Sequence, residues 1–432
     1  MFPTPPLEKL EGLIMKIGMV LKNKFPPDIR VEKEVRSLLS SRHQLHLLAY
    51  RSGKADEHPE EEIEGLLVRR IPRERDQLPF SQRQLNSFRF FLTLTNRYWA
   101  SHVERYVRDF ELDVLHVHDL PLVGTALKVS QRLSIPLVAD LHENYPASLR
   151  LSIEANPGSR SWFTPHPRRW VSYERRAVRS ATHVVVVVDE AKERLIKDYG
   201  LEPEKITVVM NVEDVDHFKT LNLDQDILTR YKDSFVISYI GGGGKHRGLV
   251  TAIEAMPYLR GSIPQVKLVL VGIGREERDV YRRIVESQGV QDHVEIIGWQ
   301  PFHKVPSYIE ASHVGLVPHY QNPHTDATIP HKLFQYMLMS KPVVVSSCRP
   351  LKRIVEETKS GLVFHSGDPK DLARQIQILY ANPQLRSDCA LHGHEAATHQ
   401  YNWTTEGAKL TRLYQSLSEQ RRVECIRGAH LR

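Results

Sequence analysis

The chain has 432 residues, of which 41% are hydrophobic and 26% are charged, a composition typical of a globular protein with more than one core. No apolar run reaches the roughly 20 residues of a membrane-spanning helix, and the three cysteines lack disulfide-framework or metal-site spacing. The net charge of +7 favours an anionic partner, whether a phosphate compound, a membrane surface or nucleic acid.

Residues 1–14 contain acidic residues and no cleavable apolar core, so they do not predict a secretory signal. We expect them to form an N-terminal extension, either a disordered segment or one that precedes the true start at Met15. A sparse, odd set of cysteines favours a reducing compartment, which predicts a cytoplasmic protein.

Strand-like runs, several of them solid β-branched segments, alternate with helical patterns along the chain. The runs in the first half are 16–21, 44–49, 113–118, 136–141, 183–188 and 206–209. Those in the second half are 235–241, 266–272, 293–298, 313–318, 341–347 and 361–364. The alternation predicts right-handed βαβ units. Because it occurs twice, around a polar connection at 213–226, the predicted fold is α/β with two doubly wound, Rossmann-like domains.

The first domain is predicted to span residues 15–215 and the second residues 228–400. An amphipathic pattern at 404–417 predicts a helix that opens with a Thr cap, and we expect residues 404–420 to pack back on the first domain. Residues 421–432 are predicted to form a basic tail. Two open α/β sheets bind ligands beyond the carboxyl ends of their strands, so a cleft between the domains is the expected active site.

A glycine-rich segment, YIGGGGKHRGLVTAIEAM, occupies residues 239–256. Its glycines, including Gly242 and Gly243, let the backbone approach a ligand, and the following helix offers free N–H groups. Lys245 and Arg247 add full positive charges, so a diphosphate would fit there. The glycine spacing matches neither a Walker loop nor a dinucleotide fingerprint. The alternative is an ordinary strand-to-helix turn with solvated basic residues.

The segment TDATIPHKLFQYM, residues 325–337, predicts a loop that runs into a helix. Pro330 suits the first helical position, and His331 and Gln335 are four residues apart, hence on one face. Gln335 would reach a sugar or ribose hydroxyl, with Lys332 beside it. The alternative is that Lys332 is solvated and Gln335 is a buried, satisfied amide.

Polar residues follow two neighbouring apolar strands of the first half, in DVLHVHDL and DLHENYP. His118 and Asp119 follow the first strand, and His142, Glu143 and Asn144 follow the second. At carboxyl strand ends such residues meet ligands. A histidine there is as often a capping or core residue, and the nearby Asp140 can instead cap a loop.

The first connection after a strand, KNKFPPDIRVEKEV at 22–35, carries Asp28 and Arg30 behind two prolines rather than a glycine-rich turn. It would form one lip of the expected cleft. An equally plain interpretation is a rigid turn followed by an N-capped helix.

Together these segments resemble the retaining glycosyltransferases of family 4, which have the GT-B fold of two Rossmann-like domains facing each other across a cleft. The resemblance runs from about Met15 to about Leu417 in order and spacing. It rests on PPDIRVEKEVRSL, DVLHVHDL, DLHENYP, RAVRSATHVVVVVDEAKERL, ITVVMNVEDVDHF, GGGGKHRGLVTAIEAM, VKLVLVGIG, VEIIGWQPFHKVPSYIEASHVGLVPH and IPHKLFQYMLMSKPVVVSS.

The resemblance implies that the second domain holds a nucleoside diphosphate-sugar. Arg247, helped by Lys245, would meet the diphosphate, together with backbone amides around Ile329 to Lys332. Gly298 and Trp299 would lie near the base. His142 would lie beside the transferred sugar.

The chain departs from the family pattern of two glutamates eight positions apart. Gln335 stands at the second position and Ala327 at the first, with Asp326 one residue away. Exchanging a charge-assisted bond to ribose for an amide costs on the order of 1 kcal/mol. Arg247 also replaces the customary lysine, and the Pro-x-Lys helix opening resembles a branch of the family that lacks the first glutamate.

The resemblance implies transfer of a hexose-type sugar to a glycan or lipid-linked acceptor, with retention of anomeric configuration, in polysaccharide or glycolipid biosynthesis. No Asp-x-Asp at a strand end predicts a metal site, so no cofactor or metal is expected, and Arg247 and Lys332 would stabilise the leaving diphosphate. Segments 69–99 and 161–179 interleave arginine with aromatic residues, a pattern that suits the inner surface of an anionic membrane or simply the wet face of helices.

Two other interpretations remain open at this stage: a non-hydrolysing nucleotide-sugar epimerase of the same fold, and a catalytically silent nucleotide-sugar-binding protein. Only the basic isoelectric point suggests a nucleic-acid partner, and no recognition motif supports one.

Overall fold

The computed structural model of the chain describes residues 14–53, 58–155, 165–219 and 222–430. The predicted N-terminal extension therefore lies outside the described residues except for Ile14. The chain forms two compact units, one drawn from Met1–Val209 and Glu406–Arg432 and the other from Met210–Thr405.

The first unit contains a parallel sheet with one antiparallel strand at its edge. Its strands are β1 (Lys16–Lys24), β2 (Gln44–Tyr50), β3 (Glu60–Ile63), β4 (Leu66–Ile71), β5 (Val114–His118), β6 (Leu137–Leu141), β7 (His183–Val186) and β8 (Ile206–Val208). They lie in the order β3-β4-β2-β1-β5-β6-β7-β8, and only the β3–β4 pair is antiparallel. The helices up to β8 are α1 (Ile29–Ser40), α2 (Glu74–Gln77), α3 (Phe80–Thr93), α4 (Arg97–Phe110), α5 (Leu120–Leu133), α6 (Tyr145–Ala155), α7 (Pro167–Ser180) and α8 (Asp189–Tyr199).

The second unit contains a fully parallel sheet. Its strands are β9 (Phe235–Ile240), β10 (Val266–Val271), β11 (Val294–Ile297), β12 (Val314–Val317), β13 (Val343–Ser346) and β14 (Gly361–Phe364). Their order, β11-β10-β9-β12-β13-β14, is that of a doubly wound dinucleotide-binding sheet. The remaining helices are α9 (Val215–Lys219), α10 (Gln225–Tyr231), α11 (Leu249–Leu259), α12 (Arg275–Ser287), α13 (Val305–Glu310), α14 (His331–Leu338), α15 (Arg349–Thr358), α16 (Pro369–Ala381), α17 (Pro383–His399) and α18 (Trp403–His430).

The central strands are covered on both faces, which explains their unbroken apolar sequences. All six side chains of β9 are buried, and so are all five of β5 and of β6. Helix α11 lies over the second sheet, where Ile253 and Met256 are buried in the same core as Ile237 and Leu270. Because the strands are enclosed along their length, their carboxyl ends are where the chain can present polar groups to a ligand.

Each predicted strand run overlaps one strand of the structure, and the prediction of an α/β fold with two doubly wound domains is confirmed. The hairpin of β3 and β4 was not predicted, because its glutamate-rich first strand lacks an apolar alternation. The polar connection at 213–226 contains helix α9 and the start of α10.

The C-terminal helix differs from its prediction at both ends. Helix α18 begins at Trp403, and the side chain of Asn402, rather than a threonine, accepts a hydrogen bond from the Thr405 N–H (2.9 Å). The segment predicted as a basic tail, 421–432, is helical as far as His430, because its sequence contains no proline and is rich in helix-forming residues.

Candidate active site

In the second unit the strand order reverses between β9 and β12, and ligands of open α/β sheets bind at such a point. The glycine-rich loop follows β9, and Pro318 and His319 follow β12. Gly248 lies in the left-handed region (φ 69°), and a Cβ there would fall 1.9 Å from the Pro318 carbonyl oxygen. Gly248 thus lets the two loops touch at the reversal point.

Gly241 makes room for a lysine from another part of the chain. Its φ is +134°, and a Cβ there would come within 2.8 Å of Lys332 Nζ. A Cβ on the next residue, Gly242, would meet nothing within 4 Å, whereas one on Gly243 would press on Tyr281 at 3.1 Å. Of the two predicted donor-binding glycines, Gly242 therefore borders open space and Gly243 is packed.

Lys332 is buried, and its surroundings disfavour the charged form of its amine. It lies in the first turn of α14, is only 7% exposed, and places Nζ 3.6 Å from the centre of the Tyr239 ring. Burial, and then the positive charge of Arg247, hold the pKa of Lys332 well below its usual value. Among the described residues, no carboxylate forms a salt bridge with Lys332 or Arg247. Both cations therefore remain available to an anion.

Three histidines surround these cations and do not compensate their charge. Arg247 Nη1 donates to His319 Nε2 (3.2 Å), which requires a neutral His319 with Nε2 as acceptor. Burial, followed by Arg247, lowers the pKa of His246 to about 3 and that of His324 to about 4. The His246 and His324 rings meet edge to face at 5.3 Å between centroids. The three histidines of the cluster are thus neutral at neutral pH, and the positive charge comes from Arg247 and, once an anion offsets the cost of burial, from Lys332.

The opening of α14 differs from the prediction in two respects. Pro330 is the residue before the helix rather than its first residue, because its ψ of 138° is extended. Gln335, predicted to reach a ribose hydroxyl, is buried and donates through Nε2 to Glu213 Oε1 (2.8 Å). His331 Nδ1 lies 3.4 Å from the same Glu213 oxygen. The alternative of a buried, satisfied amide fits this bond.

Glu213 was missed by the sequence analysis. It lay inside the connection predicted to be polar, where an acidic residue gives no sign of burial. In the structure it is buried, and its backbone oxygen accepts from Trp403 N (2.9 Å) at the start of α18.

The other residues predicted to bind the donor are dispersed. Trp299 is 78% exposed, and Gly298 packs near the Arg278 guanidinium. Asp326 Oδ1 accepts from Arg349 N (2.8 Å), so this carboxylate holds its loop to the start of α15. Two further predicted residues differ in burial: Lys245 is exposed and Ile329 is buried.

The first unit contains a buried ionic network at the carboxyl ends of β5 and β6. Asp140 is the residue that the other members contact. Its carboxylate accepts a hydrogen bond from Arg30 Nη2 (3.0 Å). The same carboxylate lies 3.0 Å from His142 Nε2 and 3.2 Å from His118 Nδ1. Arg30 also pairs with Glu34, one helical turn away on α1 (2.9 Å). Three predicted acceptor-side or catalytic residues, Arg30, His118 and His142, thus converge on one carboxylate.

The network raises the pKa values of two of its members, Glu34 and His142, for different reasons. Burial and the Asp140 charge raise the pKa of Glu34 to about 8. Burial opposes a charge on His142, but Asp119 (3.3 Å from Nδ1) and Asp140 outweigh it and raise its pKa to about 9. His142 is therefore cationic at neutral pH and, being 19% exposed, retains access to a ligand. Both ring nitrogens of His142 face carboxylates, so the imidazolium offers a ligand its positive charge rather than a free N–H group.

Sequence reasoning missed three members of this network. Glu34 follows Arg30 by four residues, a helical spacing that signals a pair, and His116 alternates with His118 on one face of β5. The third, Tyr414, lies on α18, and its hydroxyl bonds His116 Nδ1 (2.7 Å). Nothing in the sequence signals a contact across 298 residues.

The remaining predicted acceptor-side residues form helix starts. Asp28 caps α1 by accepting from Val31 N (3.2 Å). Asn144 accepts from Ala147 N (3.3 Å) at the start of α6, and Glu143 precedes it in the same turn. Asp28 therefore has the N-cap role that the plain interpretation of this loop assigned to it.

Four buried side chains of the network also have the composition of a metal site. Ligand atoms of Glu34, His116, His118 and Asp140 lie within 4.8 Å of one another, and no other such group of three or more occurs in the described residues. Arg30 already pairs with both carboxylates, so its guanidinium provides the positive charge there.

Comparison with known families assigns both halves of the chain. Residues 28–211 match the model of the glycosyl transferase 4-like domain, and residues 222–395 match that of the glycosyl transferases group 1. The alpha-D-kanosaminyltransferase of Streptomyces kanamyceticus is 22% identical over 299 residues, which cover 67% of this chain and 72% of the relative. The phosphatidyl-myo-inositol mannosyltransferase of Mycobacterium leprae is 22% identical, with coverage of 74% and 77%.

Solved structures share the fold over most of the chain. Sucrose-phosphate synthase from Thermosynechococcus elongatus gives a TM-score of 0.73 at 17% identity, covering 93% of this chain and 99% of the other. Anabaena HepE in complex with UDP gives 0.70 at 16% identity, covering 93% and 100%. The protein is therefore a glycosyltransferase with the GT-B fold. Its first half is a glycosyl transferase 4-like domain and its second a group 1 domain.

In the described residues, no helix combines the length and apolar character needed to cross a membrane.

Proposed function

We propose that the enzyme transfers a hexose-type sugar from a nucleoside diphosphate-sugar to a glycan or lipid-linked acceptor, with retention of anomeric configuration and without a metal ion. It would act in polysaccharide or glycolipid biosynthesis. The observation that carries the proposal is the placement of Lys332 and Arg247 together at the reversal point of the second sheet, where no carboxylate of the described residues pairs with either.

An anion explains this arrangement better than solvent does. A buried ammonium costs several kcal/mol unless something compensates it, and the Tyr239 ring returns only about 0.5–2 kcal/mol. A diphosphate would supply the missing negative charge. Structural neighbours agree with this ligand class, since Anabaena HepE has been solved with UDP and with UDP-glucose.

The reaction would use these groups when the sugar–phosphate bond breaks and negative charge develops on the leaving diphosphate. Arg247 and Lys332 would then stabilise the diphosphate as fixed charges in a poorly hydrated site. With two protein cations on the diphosphate, a divalent cation is not required for charge balance.

The test combines binding and turnover. The full chain is screened by thermal shift against UDP-, GDP-, ADP- and dTDP-sugars, and the stabilising donor is used to measure release of nucleoside diphosphate. Arg247→Ala should lower turnover by about 10²–10³-fold, whereas the control Arg275→Ala, an exposed arginine in the same unit, should stay within about twofold. Turnover of Arg247→Ala within a few-fold of the parent would defeat the assignment.

Two further measurements test the finer points. The anomeric proton of the product, observed by NMR, should show the configuration of the donor, and inversion would contradict retention. Turnover should survive exhaustive dialysis against EDTA. Activity that disappears and returns with a divalent cation would overturn metal independence.

A further inference from the structure

A pocket of about 310 Å³ lies in the first unit at the carboxyl ends of the neighbouring strands β1, β2 and β4. These strands are parallel and β2 pairs with both of the others, so their ends share one edge of the sheet. The lining includes residues from the ends of β1 and β2 and from the segment after β4: Lys22, Lys24, Tyr50, Arg73, Glu74 and Arg75. Both its size and its place suit a small ligand.

The pocket concentrates positive charge. Four of these side chains are cationic and one is a carboxylate. Within the part of the chain that the structure describes, Lys22, Lys24 and Arg73 form no salt bridge. Arg75 pairs with the exposed Asp76 (3.4 Å). Because cations held around one small volume repel one another, the pocket is complementary to an anion with more than one negative charge.

Lys22 shows that the pocket adjoins the buried ionic network at the ends of β5 and β6. The protein atoms around its amine lower the pKa of Lys22, and the charges of Glu74 and Asp119 oppose that change. Asp119 is therefore close enough to act on Lys22, and the same carboxylate lies 3.3 Å from His142 Nδ1. The pocket thus lies beside residues predicted for the acceptor side, in the unit that would not hold the donor.

Two further groups of the pocket suit a sugar or polyol rather than a bare anion. The Tyr50 hydroxyl accepts from Trp99 Nε1 (2.7 Å), which fixes an aromatic ring in the wall. Glu74 Oε1 accepts from Asn86 Nδ2 (2.6 Å), so the carboxylate is held in place and its other oxygen can accept from a ligand hydroxyl. A carboxylate repels a bare phosphate, whereas it binds the hydroxyls of a compound that carries one.

We propose that this pocket binds an acceptor that carries a phosphate group. Lys22, Lys24 and Arg73 contact the phosphate, whose oxygens accept several charge-assisted hydrogen bonds. Glu74 accepts from a hydroxyl of the attached sugar or polyol. The proposal names the acceptor class for the sugar transfer proposed above and rests on that function.

Isothermal titration of the full chain without a donor tests the pocket. The probes are glucose 6-phosphate, mannose 6-phosphate, glycerol 3-phosphate, inorganic phosphate and uncharged glucose. At least one of the three phosphate esters should bind at least about tenfold more tightly than inorganic phosphate and than glucose. Its binding should weaken as salt is raised. Failure of all three esters to bind would overturn the proposal.

Lys22→Gln/Arg73→Gln should raise the Kd of the bound ester at least about tenfold, because it removes two charge-assisted contacts. The matched control is Lys128→Gln/Arg105→Gln, which removes one lysine and one arginine at exposed positions of the same unit and should stay within about twofold of the parent. Equal losses in both variants would mean that binding follows net charge alone, and the proposal would fail. Melting temperatures within a few degrees of the parent exclude unfolding as the cause.

Nucleotide binding separates a failure of this proposal from a failure of the proposed function. Lys22→Gln/Arg73→Gln should leave the Kd of the stabilising nucleotide-sugar within about twofold, because these residues lie in the first unit. Tight ester binding by this variant would overturn the pocket assignment and leave the donor assignment intact. Absence of nucleotide-sugar binding by the parent would overturn the proposed function, whatever the pocket binds.

Turnover separates a phosphate-bearing acceptor from a free phosphate ligand. With the donor present, the ester that binds should speed release of nucleoside diphosphate, and mass spectrometry should find that ester with one added hexose. Inorganic phosphate should slow this transfer by competing with the ester, and less so in Lys22→Gln/Arg73→Gln. Binding of esters with no added hexose on any of them would assign the pocket to a free phosphate compound and would contradict the proposal.

Discussion

Replacing Lys332 by methionine should raise the stability of the ligand-free protein and weaken its binding of a nucleoside diphosphate. The change keeps a flexible apolar stem and removes an amine on a residue that is 7% exposed and has no acidic partner among the described residues. Removing the charge relieves a desolvation cost of several kcal/mol and the repulsion from Arg247, and loses the contact with Tyr239, worth about 0.5–2 kcal/mol. The net gain is about 1–3 kcal/mol, or about 2–12 °C in the melting temperature of a unit of this size.

The same change should weaken binding of the nucleoside diphosphate. A hydrogen bond to a charged group contributes about 1.5–3 kcal/mol, so its loss raises Kd by about 10- to 150-fold. The two effects have opposite signs because the site is built for an anion that the free protein lacks. A residue with a purely structural role would not separate them in this way.

Calorimetry measures both effects, with scanning for the melting temperature and isothermal titration for Kd. Lys352→Met, at a half-exposed lysine of the same unit, is the control and should change neither quantity appreciably. A variant that melts lower than the parent and binds the nucleotide equally well would refute the reasoning, because it would make Lys332 a structural cation.

Three other changes have definite expected outcomes. Gln335→Glu puts a second carboxylate where the amide now lies 2.8 Å from buried Glu213, so it should lower the free energy of unfolding by about 3 kcal/mol or more, and Glu213→Gln in the same chain should restore most of it. Gly248→Ala places a Cβ 1.9 Å from the Pro318 carbonyl and should destabilise by about 2–4 kcal/mol. Burial and a nearby carboxylate raise the pKa of Glu34 from 4.5 to about 8, so the free energy of unfolding should fall as pH rises from about 4.5 to 8, by on the order of 5 kcal/mol. Glu34→Gln should remove this slope.

Denaturant unfolding at fixed pH checks all three. Additive losses in the Gln335→Glu/Glu213→Gln pair would mean that the two side chains do not interact. Gly261→Ala, where a Cβ meets nothing within 4 Å, controls for the loss of a glycine; an equal cost at both positions would exclude a steric cause at Gly248. Parallel pH profiles for the parent and Glu34→Gln would show that Glu34 does not titrate in this window.

The sequence specified the features that depend on neighbouring residues. Solid β-branched runs located the strands, because a strand buried on both faces needs them. The glycine segment and the Pro-His-Lys segment predicted a basic cluster, and Arg247 and Lys332 lie in one. Lys332 is nonetheless buried rather than solvated, which its position in a helix opening did not reveal.

Features set by distant contacts were not predictable in this way. Gln335 finds Glu213 across 122 residues, and that pairing rather than its place on the helix decides what the amide binds. Asp326 was a plausible substitute for a missing glutamate by proximity in sequence, yet its carboxylate bonds Arg349 N instead. The sequence also did not reveal that apolar residues of α3 are exposed, because the same residues would suit a core helix.

The helix α18 has a consequence for how the protein is made. Tyr414 and Thr411 bond His116 and Ser41 of the first unit, so residues translated after the second unit complete a structure whose strands were translated before it. During synthesis, the first unit therefore lacks its contacts with α18 until the second unit has been translated. A chain that ends near residue 405 should therefore leave the first unit open to proteases while the second is closed, which can be read by limited proteolysis of the truncated chain.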